Sequence, residues 1–276
     1  MGNFMMRIQA TLFAAGAIFA LAGGAQAATL VASYNFNNSL NSTSGGPALT
    51  AVDPSGGATF VTDTVNGNSQ TVYQTAGVNS PPSSQGGLTF ADPSLVNNAT
   101  GYSVEMTFEF VPGQADRDDA WRRILDSQDR TSDDGFYADP SNQLDVFPVA
   151  GSTAGFVAGD YRNVVLTVDT ATDVVDGYID QGSDLTASTN VMNFINANDV
   201  LGFFLDNTQG GGQGEWAPVR IATINVFAGV LTPQQAEAFD GQSFGVPEPA
   251  SWALMLAGFG GLGAILRRRS RMAVAA

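Results

Sequence analysis

From Tyr102 to Phe110 the chain alternates without a break. Tyr102, Val104, Met106, Phe108 and Phe110 are large and apolar, while Ser103, Glu105, Thr107 and Glu109 between them are polar. Extended backbone sends successive side chains to opposite faces, so this pattern builds a strand and fits no helix. One face belongs in a core; the other is expected to be a polar stripe toward solvent. The rest of the chain must supply partners for such a strand. Weaker alternations do so at 30–36, 49–52, 58–62, 70–73, 88–90, 122–126, 136–138, 143–147, 200–205 and 217–227, each bounded by Gly, Pro, Asn or Ser clusters. Residues 161–169 and 174–179 form a hairpin across Thr170-Ala171-Thr172-Asp173, closed at its far end by Asp180-Gln181-Gly182.

A single helix is signalled near the end. Thr232 stands as N-cap, Pro233 in the first helical position and Gln235 as capping-box partner, with Ala236 and Phe239 on the buried face. Many short strands and one short helix indicate an all-β, two-sheet sandwich.

Composition narrows the chemistry. The chain has no cysteine, no histidine and no lysine; all eleven basic residues are arginine, against 21 aspartates and 5 glutamates. A Ser-His-Asp triad, a cysteine nucleophile and an ordinary His/Cys zinc site are therefore excluded. So is stabilisation by disulfides. Five arginines lie in the terminal segments, which leaves the middle more acidic than the whole and unsuited to nucleic acid.

Both ends read as transport segments. Arg7, an apolar run from Ala10 to Gly24 and Ala25-Gln26-Ala27 make a secretory signal helix, residues 1–27, for Sec export and cleavage by signal peptidase. At the other end, Val246-Pro247-Glu248-Pro249-Ala250-Ser251-Trp252 leads into an apolar stretch from Ala253 to Leu266, closed by Arg267-Arg268-Arg269. The prolines forbid a continuous helix at the hinge. The apolar part spans roughly 24 Å as a helix, a little under the ~30 Å hydrocarbon core, and the arginines hold its end in the cytoplasm. Residues 28–244 lie between and are enough for one domain.

The tail resembles the PEP-CTERM sorting signal in its P-E-P-x-x-W-A variant, carried here by Pro247, Glu248, Pro249, Trp252 and Ala253, then the glycine-rich segment 258–263 and Arg267, Arg268 and Arg269. That resemblance implies transient membrane insertion of residues 245–276, processing by an exosortase, and delivery to the cell surface or extracellular matrix of a Gram-negative bacterium. Proteins with this signal often accompany exopolysaccharide production. The middle resembles a LamG-like jelly roll of the concanavalin A-like superfamily. The segments carrying the likeness are Tyr34-Asn35-Phe36-Asn37-Asn38, Tyr102–Phe108, Trp121–Asp126, Asn163–Asp169 through Gly177-Tyr178-Ile179-Asp180, Leu201–Asn207, and Val219–Ala222 through Leu231-Thr232. Such domains bind carbohydrate or protein surfaces, and some hold Ca²⁺.

Three candidate chemistries follow. Glu105 and Glu109 share a strand face and could be the nucleophile and the acid/base of a retaining glycoside hydrolase. Thr107, however, stands where related glucanases carry a third carboxylate. A solvent-facing stripe is the favoured reading, and no catalytic residue is assigned. For calcium, Asp206, Asn207 and Glu215 bracket a glycine-rich loop and offer the oxygen ligands the ion needs. Asp116, Asp118, Asp119, Asp126, Asp129, Asp133 and Asp134 form a second acidic run. Trp121, Tyr137 and Trp216 are the aromatics placed to stack on a sugar. The leading expectation is a non-enzymatic exported module that binds glycan or another matrix component. It needs no cofactor, though Ca²⁺ is possible. A hydrolase and a purely structural matrix protein are the alternatives.

Overall fold

The computed structural model describes residues 28–91, 101–113, 120–193 and 200–239. The signal segment, the sorting tail and Asp116, Asp118 and Asp119 lie outside the described residues. Within them no helix is long and apolar enough to cross a membrane.

Two antiparallel sheets face each other. The eight-strand sheet contains β1 (Thr29–Tyr34), β3 (Thr59–Val65), β4 (Asn68–Gln74), β6 (Tyr102–Phe110), β11 (Arg162–Asp169), β12 (Val174–Ile179), β13 (Gly182–Ser188) and β15 (Val219–Ala228). The seven-strand sheet contains β2 (Thr50–Val52), β5 (Gly87–Ala91), β7 (Arg122–Asp126), β8 (Gly135–Ala138), β9 (Gln143–Phe147), β10 (Ala150–Gly155) and β14 (Val200–Phe203). The first runs β13-β12-β11-β6-β15-β4-β3, with β1 also on β15; the second runs β10-β9-β8-β7-β14-β5-β2. Consecutive hairpins form β13-β12-β11, β4-β3 and β10-β9-β8-β7, while β11-β6-β15-β4 and β7-β14-β5-β2 set sequence-distant strands side by side, as in a jelly-roll sandwich.

The alternation of β6 explains the layering. Its apolar set is wholly buried and meets Leu88, Phe90, Phe136, Leu144, Val146, Leu201 and Phe203 of the opposing sheet in one core. Phe108 is the centre of that contact, its ring 4.7 Å from Phe204, 5.5 Å from Phe110 and 5.6 Å from Phe156. The only α-helix among the described residues, α1 (Pro233–Ala236), carries the expected capping box: Thr232 Oγ1 accepts from the Gln235 N–H while the Gln235 side chain accepts from the Thr232 N–H. Phe239 follows it and lies 5.7 Å from Phe227 on the outer face of the eight-strand sheet.

The polar side of β6 departs from expectation. Ser103, Glu105, Thr107 and Glu109 are all buried, none more than 4% exposed, so the stripe does not face solvent. Most of their neighbours across the register are also polar, Asn163 and Thr167 on β11 and Thr223 and Asn225 on β15, while Val165 faces Glu105 and Phe227 faces Ser103. Small apolar clusters flank this patch, one holding Val165, Phe227, Leu231 and Phe239, the other Val65, Val72 and Ala222. Strands β10 and β13, absent from the sequence reading, extend the two sheets at one edge. The hairpin into β13 turns at Asp180 and Gln181, both at positive φ (47° and 73°), which is the two-residue turn whose twist matches its strands.

Candidate functional site

Two loops meet at one end of the seven-strand sheet. The first follows β7. Asp126, wholly buried, accepts through Oδ1 from the N–H groups of Gln128 (3.1 Å) and Arg130 (2.8 Å), curling the chain back on itself. Arg123, 1% exposed, lies inside the curl and donates to Asp126 Oδ2 (2.7 Å) and to the carbonyls of Ser132 (3.1 Å) and Asp134 (2.8 Å). A guanidinium with five donors can satisfy several acceptors from one buried point. The effect is to present Asp133.

The second loop follows β14. Phe204 at φ 57° turns the chain, and Asp206 and Asn207 are completely buried. Asp206 Oδ2 accepts from the N–H groups of Gly214 (2.8 Å) and Glu215 (2.9 Å), while Asn207 Nδ2 donates to the carbonyls of Gln209 (2.9 Å) and Gly212 (3.0 Å). Together they fold the glycine-rich loop. Its Gly211 backs onto the first loop so closely that a Cβ there would lie 2.1 Å from Asp133 Oδ2. Arg130 ties the loops together, donating from Nε to the Asp206 carbonyl at 2.6 Å.

The product is a carboxylate cluster. Asp133, Asp206 and Glu215 each offer an oxygen within 4.8 Å of the others. Asp206 Oδ1 and Asn207 Oδ1 are buried without a hydrogen-bond partner, an expensive state for an oxygen unless a cation or an ordered water completes it. Burial, then the charges of Asp133 and Asp206, push the Glu215 carboxyl up to about 7. Three hard oxygen donors, one of them from a carboxylate with a buried unpartnered oxygen, suit Ca²⁺. Asp133 comes from the second acidic run, where nothing in the sequence singles it out from six other aspartates.

Tyr137 joins this cluster to an aromatic group. Its hydroxyl donates to the Asp133 carbonyl at 3.0 Å, and its ring lies 4.7 Å from the Arg123 guanidinium. Trp121 stands edge-on to that ring at 5.6 Å, and Phe147 packs against both, 5.4 Å from Trp121 and 6.2 Å from Tyr137. Trp121 and Phe147 are half-buried; Tyr137 is 1% exposed, so it supports the platform and offers no free face. Asp145, opposite Tyr137 in the register, has its carboxyl pushed up to about 6 by burial and by Asp139. Trp216, next in the chain to Glu215, is 3% exposed and donates Nε1–H to the Gly86 carbonyl at 2.8 Å, anchoring the segment before β15 to the one before β5.

Glu105 and Glu109 belong to separate networks on the other sheet. Glu105 is held by Asn163, Thr107, Thr223 and Asn225, the last at 2.6 Å. Glu109 pairs with Arg220 at 2.9 Å, which also binds Asp63 at 3.0 Å. At 1% and 4% exposure, both lack the open face across which a sugar would have to lie.

Residues 245–270 match the PEP-CTERM protein-sorting motif. A chain bearing that motif is exported and sorted by an exosortase through its C-terminal signal. No curated protein matches the chain. Among solved structures, domain 4 of AbnA, a GH43 extracellular arabinanase from Geobacillus stearothermophilus in complex with arabinotriose, is similar at 17% identity. The likeness covers 77% of this chain and 98% of that one, with a TM-score of 0.54. The binding domain of Paraclostridial Mosquitocidal Protein 1 is similar at 13% identity, over 76% of this chain and 51% of that one, with a TM-score of 0.51. These likenesses concern the fold.

Proposed function

We propose that this is a non-catalytic binding module, delivered to the cell surface or the surrounding matrix, that holds a polyhydroxylated glycan beside a Ca²⁺ ion on the rim of its seven-strand sheet. The observation that carries the reading is the meeting, at Tyr137, of a three-carboxylate cluster with an aromatic pair. Half-buried rings such as Trp121 and Phe147 take the apolar C–H face of a sugar, and carboxylates take its hydroxyls. Asp133, Asp206 and Glu215, with the spare oxygens of Asp206 and Asn207, would hold the ion. The ion would neutralise the cluster and offer open coordination positions to vicinal hydroxyls.

Three further points support it. The arabinanase domain of the same architecture was solved with an oligosaccharide bound. The sorting motif belongs with extracellular work, and an acidic surface free of lysine suits an anionic or neutral polymer bridged by calcium. The exopolysaccharide of the producing cell is the natural ligand class. The hydrolase reading gains nothing from the geometry, since its two carboxylates are buried in separate networks.

Glycan-array binding with and without calcium tests the proposal. Calcium-dependent retention of polysaccharide, lost in Asp206→Asn and weakened about tenfold or more in Trp121→Ala, is the expected result. Retention indifferent to both variants and to chelation would refute it.

A further inference from the structure

The outer face of the eight-strand sheet carries a second set of reactive groups, separate from the rim site. Thr107 on β6 stands opposite Asn163 on β11 in the register, and Glu105 lies two residues along β6 from Thr107. Thr107 Oγ1 donates to Glu105 Oε1 at 3.2 Å. Asn163 Nδ2 donates to the same carboxylate oxygen and lies 3.1 Å from Thr107 Oγ1. Hydroxyl, carboxylate and carboxamide thus close a triangle in which each touches the other two. Thr107 is 0%, Glu105 1% and Asn163 5% exposed.

This arrangement has the parts of an acyl transfer. A nucleophile needs a base within hydrogen-bond reach, and Thr107 has one. The base needs a pKa near neutrality to take a proton and then return it, and burial pushes Glu105 up to about 7. Its side-chain partners are all neutral, Asn163, Asn225, Thr107 and Thr223, so no cation holds it permanently ionised. Holding the two reacting groups in contact supplies an effective molarity of order 10⁵ M or more. Thr223 also approaches Glu105 Oε1, at 3.4 Å, but Thr107 is the hydroxyl that touches both the base and the amide.

We propose that Thr107 and Asn163 join in an intramolecular ester that the protein makes on itself, with Glu105 as general base and then general acid. Glu105 Oε1 takes the hydroxyl proton as Thr107 Oγ1 attacks Cγ of Asn163. The Cγ–Nδ2 bond then breaks, and Glu105 returns the proton to the departing nitrogen, which leaves as ammonia. One C–O bond forms and one C–N bond breaks; nothing is oxidised or reduced, and Glu105 ends as it began. Asn163 lines an open cavity of about 540 Å³ with Tyr161, Arg162 and Asp180, which gives the ammonia a way out. The bond would tie β6 to β11 in a chain that has no cysteine for a disulfide and no lysine for a side-chain amide cross-link.

Mass spectrometry of the folded, purified protein decides the matter. After overnight incubation at neutral pH the intact mass should fall short of the sequence mass by one ammonia. Trypsin cuts after Arg117 and Arg162, so Thr107 and Asn163 fall on different peptides. Those peptides should run as one linked species, which mild alkali separates with the gain of one water. Thr107→Val and Asn163→Asp should show neither the mass loss nor the link, whereas Thr107→Ser should keep both. A folded wild-type protein of full sequence mass, or a loss of ammonia with the two peptides unlinked, as a succinimide at Asn163 would give, overturns the proposal.

Discussion

Replacing Arg123 with methionine tests the frame that supports the rim site. The guanidinium is buried, pairs with a wholly buried Asp126, and donates to the Ser132 and Asp134 carbonyls of the loop that presents Asp133. Methionine keeps much of the apolar stem and removes every donor. Breaking a buried ion pair from one side leaves the other charge unpaired and costs about 3–5 kcal/mol. For a domain of this size that lowers the melting temperature by roughly 6–20 °C. The sign with pH follows from Asp126, whose carboxyl already titrates above its ordinary value, chiefly through burial, even with the arginine present. Without Arg123 it rises further, so the folded protein holds a proton the unfolded chain releases. The penalty is therefore small in acid and grows as pH climbs above the ordinary carboxylate range. Arg123→Met/Asp126→Asn removes both charges and should recover a large part of the loss. Urea unfolding of wild type, both single variants and the double variant at acidic and neutral pH gives the full cycle. If Arg123→Met loses under 1 kcal/mol at pH 7, or if the double variant is as unstable as the two singles summed, the pair is not what holds this loop.

Two further outcomes follow. Calcium at about a hundred times its Kd should stabilise the wild type by about 2.7 kcal/mol, read as a rise of several degrees in melting temperature. Gly211→Ala, whose Cβ would displace Asp133, should abolish most of that rise while costing less stability than Arg123→Met. Between pH 4.5, the ordinary value for glutamate, and about 7, folded Glu105 holds a proton that the unfolded chain gives up. Its contribution to stability therefore falls as pH rises through that window, by on the order of 3 kcal/mol. Urea titrations should find that slope reduced in Glu105→Gln; an unchanged slope would show that the carboxyl titrates normally.

What could be read from the sequence was what depends on near neighbours. The strand from Tyr102 to Phe110 with its inward apolar set and the Thr232–Gln235 capping box are set by residues within a turn or a strand of each other, and both form as expected, although the strand's polar side is buried too. Strand β13 was invisible because Gly182-Ser183-Asp184-Leu185-Thr186-Ala187-Ser188 places only Leu185 and Ala187 inward, too faint a pattern for an edge strand to announce itself. The fate of Glu105 was illegible for a different reason: its partners Asn163 and Asn225 lie 58 and 120 residues away, and only the strand order of the sheet brings them together. Asp133 entered the carboxylate cluster in the same way, through a register linking loops that follow β7 and β14. Period and composition report which face a residue takes, but they carry no information on which strand will be beside it.

Strand order also fixes where the described chain ends relative to the carboxylate cluster. β15 feeds α1 and then Phe239, which seats on Phe227, so the described chain ends against the eight-strand sheet. Only residues 240–246 separate Phe239 from the Pro247 that opens the sorting motif, a reach of at most roughly 25–30 Å for extended backbone. That length bounds how far the described domain could stand from a tail engaged at the membrane. The loop bearing Asp133 and the platform of Trp121 and Phe147 belong to the seven-strand sheet, and the loop bearing Asp206 and Glu215 crosses from β14 of that sheet to β15 of the other. On the proposed function, removal of the tail would leave every residue of that rim in place. Binding measured on tail-bearing and tail-free protein should accordingly agree.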